Sequence, residues 1–503
     1  MITLTRKARP NLAKYLRHVA CVVALMWMAL VNGQPFFFPD TTSYVRAADI
    51  AVYLASGHRI STEWTTRYSN DLKHPATSAP SATKPNPAGN SIATGQIMSG
   101  RSPYIGIALY VAYLVSNFWL FVLGQAILAY WLIRLALRQF GITSENVISA
   151  VVLLLAATSS LPYFNGLLLA DAFASFGILA FLLVATDGGT LRRSERIGLL
   201  LVLLFSVISH LTHIVMVLSM VLTLALLQLA RFATPDRRPM LIGALCVGVG
   251  FLSISLTDHV VSQVFHKPPQ LVPLMTARFI GDGPGADFIR AGCNGQDFAV
   301  CRTRVDTGSS DAFLWSKSPS PPGFLTVTAE QRDRMSAEDT AFALATLKAY
   351  PMRETGMIVY NSFAQMLTFG FDGLNTGCWS IPKCWSSLPN PTRDELQRSL
   401  SGRNLWPAHA LTVILYASVA LAVVIIAVAL PGLRRSSPSL ARKMMIWLTL
   451  GFVAMLACDV LGGAISAPQY RYQGRLVWLV ILFAAIVVVA NRQNRRAGAH
   501  LSQ

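Results

Sequence analysis

The sequence predicts an all-α polytopic membrane protein, with about ten transmembrane helices and a periplasmic loop domain. Three observations carry that prediction. Hydrophobic residues make up 53% of the 503 residues and charged residues 13%, whereas a soluble globular domain carries about 25% charged residues. The mean hydropathy is +0.47. Apolar runs long enough to cross a bilayer recur along the chain, and basic residues gather in the short connections between them. Those basic stretches are 134–138, 192–196, 231–238, 434–443 and 492–496, and the net charge is +18. Charge distributed this way sets membrane topology, and it does not call for a nucleic-acid partner.

The first span, 18–34, follows Arg6, Lys7, Arg9, Lys14 and Arg17, so the N-terminus is expected to stay in the cytoplasm. Bulky Phe36-Phe37-Phe38 follows it, with no small-residue cleavage site, and the span reads as an uncleaved anchor. Residues 35–103 form the first outer loop. It opens with a stretch of mixed polarity, 41–57, and passes into a Ser-, Pro-, Thr- and Asn-rich stretch, 76–95, expected to be mobile. The apolar segment 104–116 is short, an interfacial helix or half of a span. Spans follow at 118–138, 146–162 and 168–186. The 36-residue run 197–232 is too long for one span. It divides at His210-Leu211-Thr212-His213 into 197–211 and 212–231, and another span covers 240–257.

Residues 258–405 are large enough for a small domain or lid. Within them 328–350 reads as a helix, or as two shorter ones if Ser336-Ala337-Glu338-Asp339 acts as a cap. Spans at 407–431, 444–465 and 475–491 complete the set. The chain thus divides into 1–257, 258–405 and 406–503, with both termini on the cytoplasmic side of a bacterial inner membrane. Of the seven cysteines, Cys21, Cys246 and Cys458 fall in spans and read as packing residues. Cys293, Cys301, Cys378 and Cys384 share the large loop. Four cysteines there suggest an oxidising compartment and two disulfides, with local pairing 293–301 and 378–384 preferred among three connectivities. Their spacing is not that of a zinc ribbon.

This topology gathers ionisable and aromatic residues at the outer membrane surface. Asp40 and Tyr44 follow span one, and Arg101 precedes the short apolar segment. Asp171 lies near the outer end between spans three and four, or just inside span four. His210 and His213 sit at the turn between spans five and six. Lys267 and Arg278 open the large loop, and Tyr470, Arg471, Tyr472 and Arg475 precede the last span. Each has a plain structural reading: helix caps, interfacial aromatics, or arginines that snorkel to headgroups. Together they are a functional expectation, since ionisable groups in membranes mark working sites. Two carboxylates, two histidines and several arginines suit acid–base chemistry on an anionic lipid. A carboxylate can take the proton of an attacking hydroxyl, and arginine can hold a phosphate leaving group. The sequence does not settle the cofactor. A divalent metal is compatible with the chemistry, but no Asp-x-Asp pair supports one.

The order of these parts resembles the GT-C-fold polytopic glycosyltransferases. The resemblance rests on Pro39-Asp40 in the first outer loop and Gly100-Arg101-Ser102-Pro103-Tyr104 before the next apolar segment. It continues with Leu168-Leu169-Ala170-Asp171 and with the aromatic–arginine segment 470–475. It spans roughly 15–235 and 440–490. It implies transfer of a sugar from a polyprenyl-phosphate-linked donor, within the lipid bilayer, to a glycan, lipid or protein acceptor. Asp40 and Asp171 would be catalytic, and Tyr44, Arg101, His210, His213, Lys267, Arg278, Tyr470, Arg471, Tyr472 and Arg475 would bind substrate. Segments 274–283 and 311–315 resemble an uncharacterised family of proteobacterial membrane proteins, without implying an activity. Two other readings stand beside this one. A polymerase or ligase of lipid-linked polysaccharide would depend on arginines and a histidine in the large loop. A transporter or flippase would use an ionisable group within a span, for which Asp459 is the candidate.

Overall fold

The computed structural model describes residues 9–67, 98–233, 236–303, 305–316, 320–374 and 388–501. Among them the regular elements are helices, joined by two isolated β-bridges. Six segments are long and apolar enough to cross a membrane: Trp119–Gln139, Leu211–Leu229, Arg238–Phe265, Ala408–Ser436, Pro438–Ile465 and Tyr470–Arg495. Three shorter apolar helices, Pro103–Ser116, Glu145–Thr158 and Asp171–Ala185, pack among them. The long apolar run over 197–232 does break at His210, between Arg193–Ser209 and Leu211–Leu229. Segment 104–116 is a helix of its own.

The basic connections meet at one end of the bundle. Arg134 forks onto Glu145 at 2.6 and 2.8 Å, and Arg138 bonds Glu195 at 2.7 Å. Lys443 donates to the Gln139 carbonyl at 3.2 Å. The other end of Trp119–Gln139 begins beside Phe37, whose ring lies 5.3 Å from that of Phe118. Charge is therefore segregated along the bundle, with the Asp40 region opposite the basic connections.

Several expected spans are not continuous helices. The first breaks at Leu25-Met26, between Arg9–Ala24 and Trp27–Asn32. The third ends at Thr158 and resumes as the short helix Leu161–Gly166, and extended chain then leads to Asp171. Non-helical backbone at membrane depth survives only where protein satisfies its polar groups, and here the two breaks satisfy each other. Asn165 donates to the Leu25 carbonyl at 3.1 Å. The Phe36 N–H donates to the Gly166 carbonyl at 2.8 Å, and the Leu168 N–H donates to the Phe36 carbonyl at 3.0 Å, a parallel bridge. Gln125 donates to the carbonyls of Asn165 and Leu167 at 3.0 and 3.3 Å. Residues 161–183 are buried throughout, so Asp171–Ala185 is the central helix of the bundle.

The loop region has its own hydrophobic core, separate from that of the bundle, built on Ile280, Phe288, Phe298, Phe313, Phe324 and Phe342. The expected helix over 328–350 is one continuous helix, Ala329–Ala349. Its cap is Thr328 with Gln331, so the Ser336–Asp339 signal does not divide it. Cys293 and Cys301 form the expected disulfide, while Cys378 and Cys384 lie outside the described residues. Helix Pro351–Leu367 then docks along Pro438–Ile465 through a small-residue contact. A Cβ on Gly463 would lie 2.5 Å from the Ser362 nitrogen.

Candidate active site

The backbone bridge sets the site. Asp40 follows Phe36 by four residues, and Asp171 follows Leu167 by four. Each aspartate lies in the first turn of the helix that begins after the bridge, Pro39–Ala55 or Asp171–Ala185. A carboxylate is favoured there by the helix dipole. Thr41 locks the arrangement, accepting from the Phe38 N–H at 3.1 Å and donating to the Leu168 carbonyl at 3.0 Å.

Three arginines converge on the two aspartates. Arg101 bonds Asp40 Oδ1 at 2.6 Å, and Arg471 bonds Oδ2 at 3.3 Å. The Arg471 guanidinium also lies over the Phe38 ring at 4.6 Å and the Tyr472 ring at 5.3 Å. Arg475 bonds Asp171 Oδ1 at 3.2 Å, Thr212 Oγ1 at 3.1 Å and Cys458 Sγ at 3.5 Å. Its guanidinium lies 5.6 Å from the centroid of the same Tyr472 ring. The pairs differ in access. Asp40 and Arg101 side chains are 18% and 34% exposed, whereas Asp171 and Arg475 are 6% and 1% exposed. The outer pair is partly accessible, and the inner pair is enclosed. Tyr44 is buried under Arg101, 5.8 Å from ring centroid to guanidinium, and burial raises its hydroxyl above the usual pKa, keeping it neutral.

The histidines flank the inner pair. The His210 Nδ1 accepts from the Thr212 N–H at 3.2 Å and from the Thr212 hydroxyl at 2.9 Å, capping the helix Leu211–Leu229. The same hydroxyl accepts from Arg475, so His210 is coupled to Asp171 through two side chains. His213 Nδ1 lies 2.9 Å from the Ser206 carbonyl and donates to it. That leaves Nε2 as an acceptor, buried and without a partner. Arg101, Arg471 and Arg475 against Asp40 and Asp171 give one net positive charge.

Other expected site residues lie elsewhere. Lys267 is exposed and makes none of these contacts. Arg278 is buried but pairs with Asp282, at 3.0 Å from Nε, and donates to the Ser466 carbonyl at 3.2 Å. It ties the loop domain to the segment that leads into Tyr470. Tyr470 packs on Gly373, where a Cβ would fall 2.1 Å from its ring, so it anchors the 369–374 segment. Thr41, Thr212, Gln125 and Asn165 belong to the arrangement and were not anticipated. The available signal was their polarity within or beside apolar runs. Among the described residues no group of three or more His, Cys, Asp or Glu side chains gathers in a way that would hold a metal ion. No protein-family model, curated protein or solved structure matches this chain.

Proposed function

We propose that this chain is an inner-membrane glycosyltransferase that moves a sugar from a polyprenyl-phosphate-linked donor to an envelope glycan, lipid or protein acceptor. The observation that carries the reading is Asp40, a half-buried carboxylate held between Arg101 and Arg471. It lies at the end of the bundle opposite the basic connections. The positive-inside rule makes that end periplasmic. In this reading the split first helix, Glu145–Thr158, Asp171–Ala185 and Arg193–Ser209 add four passes to the six long ones, while Pro103–Ser116 begins and ends at the Asp40 face and does not cross. Ten passes, an even number, would put both termini on the cytoplasmic side.

The acceptor hydroxyl attacks the anomeric carbon, and Asp40 takes its proton as the new carbon–oxygen bond forms. The bond from that carbon to the donor phosphate breaks, and its electron pair leaves on the phosphate. Arg101 and Arg471, freed in part from Asp40, hold the growing negative charge in fork geometry. Attack from the face opposite the phosphate inverts the anomeric centre. Asp171 and Arg475 act beneath, fixing the Tyr472 platform on which Arg471 lies. The test is purified protein in lipid nanodiscs with a panel of polyprenyl-phosphate sugars, with and without divalent metal. Release of polyprenyl phosphate, lost in Asp40→Asn, is expected. No turnover of any donor by folded protein that instead moves lipid across vesicles would replace this reading with a flippase.

A further inference from the structure

A buried carboxylate within one of the long apolar helices stands outside this mechanism. Asp459, within Pro438–Ile465, is fully buried, and Gln473, just ahead of Arg475, is 4% exposed. Gln473 Nε2 donates to Asp459 Oδ2 at 3.3 Å. The other two oxygens, Asp459 Oδ1 and Gln473 Oε1, are both buried and both without a hydrogen-bond partner. Both are acceptors, and each unmet buried acceptor is costly. A single proton on Oδ1 removes both deficits. A primary amide that presents its NH2 to one carboxyl oxygen can present its carbonyl to the other, closing a reciprocal acid–amide pair.

An ionised Asp459 has no such resolution. Among the described residues no cation lies within ion-pair distance of it. Arg475, the charged side chain that acts on it, is already bonded to Asp171, Thr212 and Cys458. An unpaired ion in this setting is far more costly than a neutral acid. The protonation state sets the charge of the whole site. With Asp459 neutral, three arginines face two carboxylates and one positive charge is left over. With Asp459 ionised the site is electrically balanced and has no charge to offer an anion.

We propose that Asp459 is a neutral carboxylic acid paired with Gln473, and that its neutrality leaves the site charge-matched to a monoanionic phosphodiester. The first half stands on the hydrogen bonding alone. The second rests on the proposed glycosyltransferase reading, since a sugar joined through polyprenyl phosphate is such a diester. Asp459 is a positioning residue, setting the charge that Arg475 presents without touching substrate.

Infrared difference spectra of wild type against Asp459→Asn at neutral pH test the acid directly. A carboxylic-acid carbonyl band lost in the variant is expected. Its absence, leaving an ionised Asp459 bridged by water to the unpartnered Arg475 Nε, overturns the proposal. The ligand half uses farnesyl phosphate methyl ester, a monoanionic phosphodiester without a sugar. Asp459→Asn keeps both hydrogen bonds and the charge, so affinity should stay within about twofold. At a pH high enough to ionise Asp459, its negative charge joins the site beside Arg475, while the methyl ester stays monoanionic. Affinity should then fall about tenfold, the scale of one partly screened charge pair. Asp459→Asn should keep its affinity across the same pH range, which a purely structural role would not produce. Loss of binding in Asp459→Asn, the same pH dependence in Asp459→Asn as in wild type, or equal affinity for farnesyl pyrophosphate would overturn the charge match. Displacement of the methyl ester by phosphatidylglycerol vesicles would overturn a polyprenyl source and the transferase reading with it. The infrared result would be untouched.

Discussion

Asp40 and Asp171 are alike in local setting and unlike in exposure, so neutralising each should have different consequences. Asp40→Asn removes the proton acceptor but keeps size and a hydrogen-bonding group. Turnover of a lipid-phosphate sugar should fall by roughly 10²–10⁴-fold. Stability should hardly change, because partly exposed ion pairs contribute about 0–1 kcal/mol. Asp171→Asn strands Arg475, which is 1% exposed. Removing one partner of a buried pair costs about 3–5 kcal/mol, so its thermal unfolding midpoint should drop clearly below that of Asp40→Asn. Normal turnover in well-folded Asp40→Asn protein would remove the general-base assignment. Glu354 offers a contrast outside the site. It is fully buried against Asp282, with neither oxygen hydrogen-bonded, and burial pushes its pKa from 4.5 up to about 8. Below 4.5 its contribution to stability is fully present. Between 4.5 and about 8 the unfolded chain has released this proton while the folded chain retains it, so stability falls across that window. Glu354→Gln should flatten this pH dependence of the unfolding midpoint, and an unchanged slope would show that other groups set it.

At the scale of elements, the site depends on the pairing of two broken helices. The Phe36–Leu167 bridge places both aspartates at the same offset into their helices. A residue that pushes the partners apart should therefore disturb both. Gly166 is that position: a Cβ there would lie 2.9 Å from the Ala29 Cβ and 3.2 Å from the Phe36 ring. Gly166→Val should cost about 1–3 kcal/mol, the usual range for overpacking, and should lower turnover with it. Gly124, also helical but with nothing within 4 Å of its Cβ position, is the control. Gly124→Ala should be neutral or stabilising by up to about 1 kcal/mol. Equal effects at the two glycines would mean that the bridge does not hold the site. Asp40 and Asp171 were legible in the sequence because both are acidic residues bordering apolar runs. The bridge was not legible, because a few extended residues carry no periodicity. The break at Leu25-Met26 has neither Pro nor Gly to mark it. The groups that meet the freed carbonyls, Asn165 and Gln125, act from 140 and about 40 residues away in sequence.

Across the whole molecule, hydropathy made the helices legible and left their continuity undetermined. Composition registers how apolar a run is, not whether its backbone bonds inward or to a neighbour. The split first helix and the 158–171 region follow from that. Lys267 and Arg278 were grouped with the site because both open the loop, yet position along a loop says nothing about the face on which a side chain ends. Orientation across the membrane is the largest consequence of the charge pattern. The bundle carries Arg134, Arg138 and Lys443 at one end and Asp40 at the other. If the Asp40 end is periplasmic, as proposed from the positive-inside rule, exposed Arg59 and Gln296 lie outside the cytoplasm, and exposed Arg192 and Arg435 within it. Single cysteines at these positions report the arrangement in a background with Cys378 and Cys384 replaced by serine, since Cys21, Cys246 and Cys458 are buried and Cys293 and Cys301 are joined. Arg59→Cys and Gln296→Cys should react with an impermeant maleimide in intact spheroplasts. Arg192→Cys and Arg435→Cys should react only after lysis. The reverse pattern would turn the protein over, put Asp40 on the cytoplasmic side and remove the basis for a periplasmic transferase. Protection of Gln296→Cys alone, with Arg59→Cys labelled, would separate the loop domain from the Asp40 face and break the tie made through Arg278 and Ser466.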